Sequence, residues 1–164
     1  MSAIFKRVSN RAYLDQAVEE EKIELLMRAA MAAPSAHNQQ AWEFYVVENS
    51  EKIQQLSKAH QYAKPAQSAP VVIVPCYYST SKAPAFREID ISASVENILL
   101  QATEMNLGSL WMGIAPFADK IEIVRKILAI PADLVPFCLI AIGYPSDNRE
   151  QKDRYQVEKV HRIK

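Results

Sequence analysis

Residues 33–42 read Ala33-Pro34-Ser35-Ala36-His37-Asn38-Gln39-Gln40-Ala41-Trp42 and separate an amphipathic stretch from an apolar, aromatic-rich one. Pro34 disfavours the α conformation in Ala33, so a helix arriving from upstream has to stop here. Residues 35–41 are mainly small or neutral and hydrogen-bonding. That composition suits a loop whose main chain and amides press against a flat, polar-edged molecule.

On the upstream side Ile23, Leu26, Met27 and Ala30 recur at helical spacing, predicting a helix over 19–32. Downstream, 42–47 reads as a strand, then 51–59 as a short helix with Ser50 as its N-cap. A second strand is predicted over 71–78, and Pro75, which cannot donate to a ladder, places it at a sheet edge or ends it there. The longest helix is expected over 87–106, burying Ile91, Val95, Ile98, Leu99, Ala102 and Met105, with Gly108 beyond its end. A strand over 109–115, a helix over 119–128 bounded by Pro116 and Pro131, and a last strand over 134–143 complete the pattern. Four strands interspersed with helices predict an α+β sandwich.

The chain has 164 residues, 49% of them hydrophobic, enough for the core of one domain spanning 1–164. Residues 144–164 form a polar tail with renewed apolar character near its end, expected to dock on another surface. Nineteen basic residues balance nineteen acidic ones, so no net field draws the chain to nucleic acid or an anionic membrane. Charges run through the first twenty residues and no apolar run reaches the roughly 20 residues of a membrane helix, which predicts a cytoplasmic protein. The three glycines, Gly108, Gly113 and Gly143, cannot build a phosphate-binding P-loop or a G-x-G-x-x-G fingerprint. Cys76 and Cys138 lie in apolar strand-like runs without metal-ligand spacing and are expected to be buried, reduced thiols. Ser35, His37 and Asp90 do not read as a hydrolase triad, because the first two are only two residues apart and no nucleophile elbow surrounds the serine.

Two basic groups stand at opposite ends of the chain, Lys6-Arg7-Val8-Ser9-Asn10-Arg11 and Lys152-Asp153-Arg154. Arginine forks with a serine hydroxyl suit a phosphate, since charge-assisted bidentate bonds are the strongest available without a metal. Either group alone fits an ordinary solvated face.

Taken in order, these features resemble the FMN-dependent nitroreductase family over nearly the whole chain. Its Arg-x-Ser-x-basic opening is matched by Arg7, Ser9 and Arg11, followed by Tyr13. Its Ala-Pro-Ser-x-x-Asn-x-Gln-x-Trp loop is matched by Ala33, Pro34, Ser35, Asn38, Gln40 and Trp42, with Ala41 where the family usually has proline. Asn97 within the long helix, the turn at Gly108, Trp111-Met112-Gly113, and Ile142-Gly143-Tyr144-Pro145 followed by Lys152 and Arg154 continue the likeness.

The resemblance implies an α/β sandwich with a central mixed, mostly antiparallel sheet flanked by helices, assembled as a homodimer with FMN at the interface. Arg7, Val8, Ser9, Lys152 and Arg154 would hold the phosphate and ribityl chain, while Arg11 and Lys64 would lie at the pyrimidine edge. Positive charge there stabilises the anionic reduced flavin. The N–H groups of Met112 and Gly113 would face N5 and O4, and Pro34, Ser35, Ala36 and Asn38 would touch the flavin of the other subunit. His37 is a hydrogen-bonding or surface residue on this reading, and no protein acid, base or metal is required. The implied activity is hydride transfer from NADH or NADPH through FMN to a small flat acceptor, a nitroaromatic or quinone, by a ping-pong route. A non-catalytic FMN sensor or reservoir, or a flavin enzyme of different outcome such as reductive dehalogenation, are the alternatives.

Overall fold

A computed structural model of the protein describes residues 2–147 and 149–164. Among these residues five α-helices and five strands follow in the order α1 (Ala3–Lys6), α2 (Glu20–Met31), β1 (Trp42–Val47), α3 (Ser50–Leu56), β2 (Val71–Tyr78), α4 (Arg87–Glu104), β3 (Gly108–Gly113), α5 (Ala118–Leu128), β4 (Leu134–Pro136) and β5 (Cys138–Gly143). Their strands make one sheet in the order β1-β2-β5-β3, with β4 beside the far half of β2. All strand pairs are antiparallel, and the parallel contact described is an isolated bridge from Ser9 to Ser109.

Each sheet face is covered because the strands are apolar on both sides. On one face α2 and α4 bury Ile23, Leu26, Ala30, Val95, Ile98 and Ala102 against Val71, Ile73, Ile140 and Ile142. On the other, α3 and α5 bring Ile53, Leu56 and Val124 against Val72, Val74, Leu139 and Ala141. Each fully buried aliphatic side chain contributes about 1.5–3 kcal/mol, so these layers hold the sandwich together. Asn97 adds a polar tie, donating its side-chain amide to Ala29 O at 3.0 Å between α4 and α2.

Several boundaries differ from the sequence expectation for physical reasons. Asn49, rather than Ser50, caps α3: its side chain accepts from Lys52 N at 2.9 Å, and Ser50 becomes the first helical residue. Asn106, with φ of 59°, takes the left-handed position that closes α4, so the helix ends at Glu104 and Gly108 already belongs to β3.

Pro75 marks no edge, because β2 is paired on both sides. Its missing donor falls where the neighbouring strand breaks at Phe137, between β4 and β5. There Phe137 N donates to Pro75 O at 2.9 Å, while Phe137 O turns away to accept from Ile114 N and Ala115 N at 3.1 and 3.0 Å. The strand expected over 134–143 is therefore two strands. Cys76 and Cys138 are both buried and free, one in each of the two cores on opposite sheet faces.

Candidate flavin site

The two basic groups, distant in sequence, meet at one edge of the sheet. Segment 9–14 runs along β3 and the end of β5: Asn10 N donates to Ser109 O at 3.0 Å, Leu14 N to Tyr144 O at 2.8 Å, and Ser146 N to Ala12 O at 3.0 Å. Gly108 allows this approach, since a Cβ there would lie 3.0 Å from the Asn10 side chain. Asp147 locks the crossing by accepting from the Asn10 amide at 2.9 Å, from Arg11 N at 3.1 Å and from Arg149 Nε at 2.5 Å. Burial pushes the Asp147 carboxyl up, but those donors outweigh it and hold it below the usual carboxylate value.

The crossing leaves a hollow of about 400 Å³ lined by Arg7, Val8, Ser9, Arg11, Arg149, Glu150, Gln151, Lys152 and Arg154. Five cations face one carboxylate there, a charge balance suited to a dianion. Arg7 also approaches Glu96 of α4 at 3.8 Å, and Arg154 is steadied by Gln151 Oε1 at 2.8 Å. The predicted Arg7, Val8, Ser9, Arg11, Lys152 and Arg154 are brought together within the one chain. Arg149 was missed as a lining residue, although its place in the same basic tail is the signal that could have found it.

Arg11 is shared with two adjoining hollows. One, of about 310 Å³, adds Lys64, Pro65, Gln67 and Ser68. The other, of about 650 Å³, is lined by Arg11, His60, Gln61, Tyr62, Pro65, Leu110, Trp111, Met112, Gly113, Phe117 and Lys120. A cationic recess thus passes through a single arginine into a wider, aromatic-walled one, with Lys64 beside the junction. Gly113 is exposed at the end of β3, and a Cβ built on it would meet nothing within 4 Å. The chain's own packing does not require glycine there, whereas a flat molecule lying on the strand would.

His60, Tyr62, Phe117 and Lys120 have no place in the sequence expectation. They come as two local pairs, His60 with Tyr62 in the loop after α3 and Phe117 with Lys120 at the start of α5, and no sequence spacing joins one pair to the other. The His60 ring accepts from Tyr62 N through Nδ1 at 3.2 Å, which places its proton on Nε2. Burial, aided by the Lys120 charge, holds its pKa below the ordinary value and keeps the ring neutral near pH 7.

The Pro34 loop lines none of these hollows. Its Ala36–Asn38 turn has φ of 53° at His37 and 49° at Asn38. Buried Asp90 of α4 secures it, accepting from Ala36 N at 2.9 Å and from Gln39 Nε2 at 2.6 Å, and Ser35 Oγ accepts from Gln40 N at 3.0 Å. Asp90 thereby holds the shape of the loop, and Ser35 braces it from within. His37 is exposed and its side chain makes no hydrogen bond among the described residues. Pro34, Ser35, Ala36 and Asn38 are held in a fixed shape and line none of the three hollows.

The family model described as "Nitroreductase family" matches residues 4–66 and 58–144. The chain belongs to the nitroreductase family. A relative from Methanothermobacter thermautotrophicus, provisionally named NADH dehydrogenase/NAD(P)H nitroreductase, is 38% identical over 98% of this chain and 85% of its own length. The crystal structure of a provisionally named NADH oxidase from Clostridium acetobutylicum superposes with a TM-score of 0.95 at 39% identity, covering 99% of both chains. A provisionally named nitroreductase from Desulfovibrio desulfuricans, crystallised in complex with FMN, gives a TM-score of 0.84 at 28% identity over 99% of this chain and 95% of the other. Family membership fits the sandwich and the layered sheet described above. Among the described residues no helix is long and apolar enough to cross a membrane.

Proposed function

We propose that this nitroreductase-family chain binds FMN and carries reducing equivalents from NADH or NADPH to a small flat acceptor, a nitroaromatic or quinone. The observation that carries the reading is the position of Arg11, at the junction of a cation-lined recess and an aromatic-walled one that ends on the open backbone at Gly113. The names of the relatives, including the one crystallised with FMN, support the same cofactor.

On this reading Arg7, Ser9, Arg149, Lys152 and Arg154 neutralise the phosphate, with Val8 against the ribityl chain. Arg11 and Lys64 place positive charge at the pyrimidine edge. Met112 and Gly113 offer main-chain N–H groups across an unobstructed strand end. FMN held there would supply two-electron redox chemistry between the nicotinamide nucleotide and the acceptor. The sum balances as NAD(P)H, one proton and a quinone giving NAD(P)⁺ and a hydroquinone; with a nitro compound the products are NAD(P)⁺, a nitroso compound and water. No protein group need hold the transferred proton, because the 650 Å³ recess opens to solvent through exposed Tyr62, Gly113 and Phe117.

The site is completed by a second copy of the chain on this proposal. The Pro34 loop is rigidly held yet away from its own recess, and the tail leaves Tyr155, Val157, Val160 and Ile163 exposed, from 48% to 99%. Both features support a homodimer in which each loop touches the other subunit's flavin.

Purified protein should be yellow and release FMN on denaturation. NADH or NADPH should bleach it rapidly without oxygen, and added quinone should restore the colour. A colourless protein that takes up no added FMN overturns the proposal, and bound flavin that is not bleached makes the chain an FMN-binding protein without turnover.

A further inference from the structure

The wider recess contains a charge that the flavin reading does not use. Lys120 lies in the first turn of α5, where the helix dipole disfavours a cation. Its Nζ is 3.8 Å from the Phe117 ring centroid, and among the described residues it forms no ion pair. Among the described residues the recess wall includes no carboxylate. His60 beside Lys120 is held neutral and its buried Nε2 has no partner among the described residues, so the positive charge on that side comes from the lysine. Exposed Tyr62 (71%) and Phe117 (53%) give the recess an aromatic rim next to this charge.

Resting on the functional reading above, we propose that Lys120 selects the acceptor: the preferred substrates are planar aromatic or quinonoid molecules carrying an anionic group, a carboxylate or sulfonate. The ring lies against Phe117 and Tyr62 while the anion meets Lys120. A planar anion gains from both, because it offers Lys120 a counter-charge in place of the Phe117 π-face and adds stacking area.

The test compares 4-nitrobenzoate with 4-nitrobenzamide, which share shape but differ by one charge. Reduced holoprotein is mixed with each acceptor, and the ratio of their kcat/KM values is measured for wild type, Lys120→Gln and Lys120→Glu. Lys120→Gln should lower the carboxylate-to-amide ratio about three- to fivefold, the size expected of one exposed ion pair. Lys120→Glu should lower it further, and raised salt should shrink the wild-type preference.

A ratio unmoved by Lys120→Gln, an equal loss with both acceptors, or an effect confined to reduction by NADH would each overturn the proposal. The last outcome would assign Lys120 to the dinucleotide phosphates. Quenching of Trp111 fluorescence by the two nitro compounds gives a binding ratio that needs no turnover. Failure to load FMN would sink the functional reading, and the quenching ratio would still decide the anion preference.

Discussion

Asn10 donates its side-chain amide to Asp147 at 2.9 Å, joining residues 137 positions apart in the chain. The same carboxylate accepts from Arg11 N and Arg149 Nε, so one side chain sets the spacing of the N-terminal and C-terminal cations. Asp147→Ala leaves the partly buried Asn10 amide and the Arg11 N–H without this acceptor, at a cost of about 1–2 kcal/mol. FMN affinity should fall roughly tenfold, a change of about 1.4 kcal/mol, read by equilibrium dialysis. Since the folded pKa is depressed, the contribution of Asp147 is present above the ordinary carboxylate value and is lost as pH falls through the folded one. Unaltered FMN binding in Asp147→Ala would show that the crossing does not depend on this clamp.

Asp90 performs the matching task for the Pro34 loop, with one oxygen on Ala36 N and the other on Gln39 Nε2. Three residues there, His37, Asn38 and Gln40, hold positive φ, a conformation that only surrounding bonds keep populated. Asp90→Ala should cost about 1–3 kcal/mol by orphaning two partly buried donors, measured by urea unfolding. If the loop serves the partner's flavin, it should also weaken FMN binding although Asp90 lines no part of the recess. Loss of stability with affinity intact would count against the shared site.

His60 gives a pH signature with a definite sign. Its pKa is held below the ordinary 6.5 by burial first and by Lys120 second. The neutral ring is favoured in the folded state, so its contribution is complete above pH 6.5 and is lost as pH falls toward the folded pKa. Tyr62 is the other titratable group facing it, with ring centroids 6.3 Å apart. His60→Asn keeps an acceptor for Tyr62 N and removes the titration. The variant should lose less stability than wild type between pH 7 and pH 5, and parallel curves would refute the assignment.

Much of this architecture could be read from the chain because its signals are local and repeated. Ile91, Val95, Ile98 and Ala102 declare the buried face of α4 by spacing alone, and Pro34 declares where α2 must end. What escaped depends on neighbours in space. Pro75 reads as an edge residue until Phe137 is seen turning its carbonyl away opposite it. The strand over 134–143 reads as continuous by its apolar run, yet Pro136, which has no N–H for a ladder, ends β4 just before Phe137 turns its carbonyl to Ile114 and Ala115. Arg7 and Ser9 at one end and Lys152 and Arg154 at the other are legible as basic groups directly, but as one site only through the family likeness, whereas His60 and Lys120 face one recess from elements that no motif links.

The two cysteines should be silent in the folded protein. Burial pushes the Cys76 thiol up to about 12, and the Cys138 thiol well above its usual value. At pH 8 neither supplies the thiolate that a disulfide reagent needs. Their places in cores on opposite faces of the sheet also keep them from pairing with each other. Ellman's reagent should find no fast-reacting thiol in the native protein and two after unfolding in guanidinium. One fast thiol without denaturant would contradict the burial.

Gly113 separates the needs of the fold from those of the ligand. Its φ is not positive and a Cβ there would meet nothing within 4 Å, so the protein alone gives no reason for glycine at the end of β3. Gly113→Ala should leave unfolding stability unchanged or raise it by about 0.4–1 kcal/mol, because alanine restricts the unfolded chain at a compatible site. The same methyl would project into the recess beside Met112, where the proposed flavin ring would have to approach the backbone closely. FMN affinity should therefore drop, by about tenfold or more if the methyl displaces the ring, while the midpoint of apoprotein unfolding holds or rises. Bulkier Gly113→Val should deepen the binding loss. A Gly113→Ala protein that binds FMN as tightly as wild type would move the ring away from this strand end and leave the open Cβ direction without its proposed occupant.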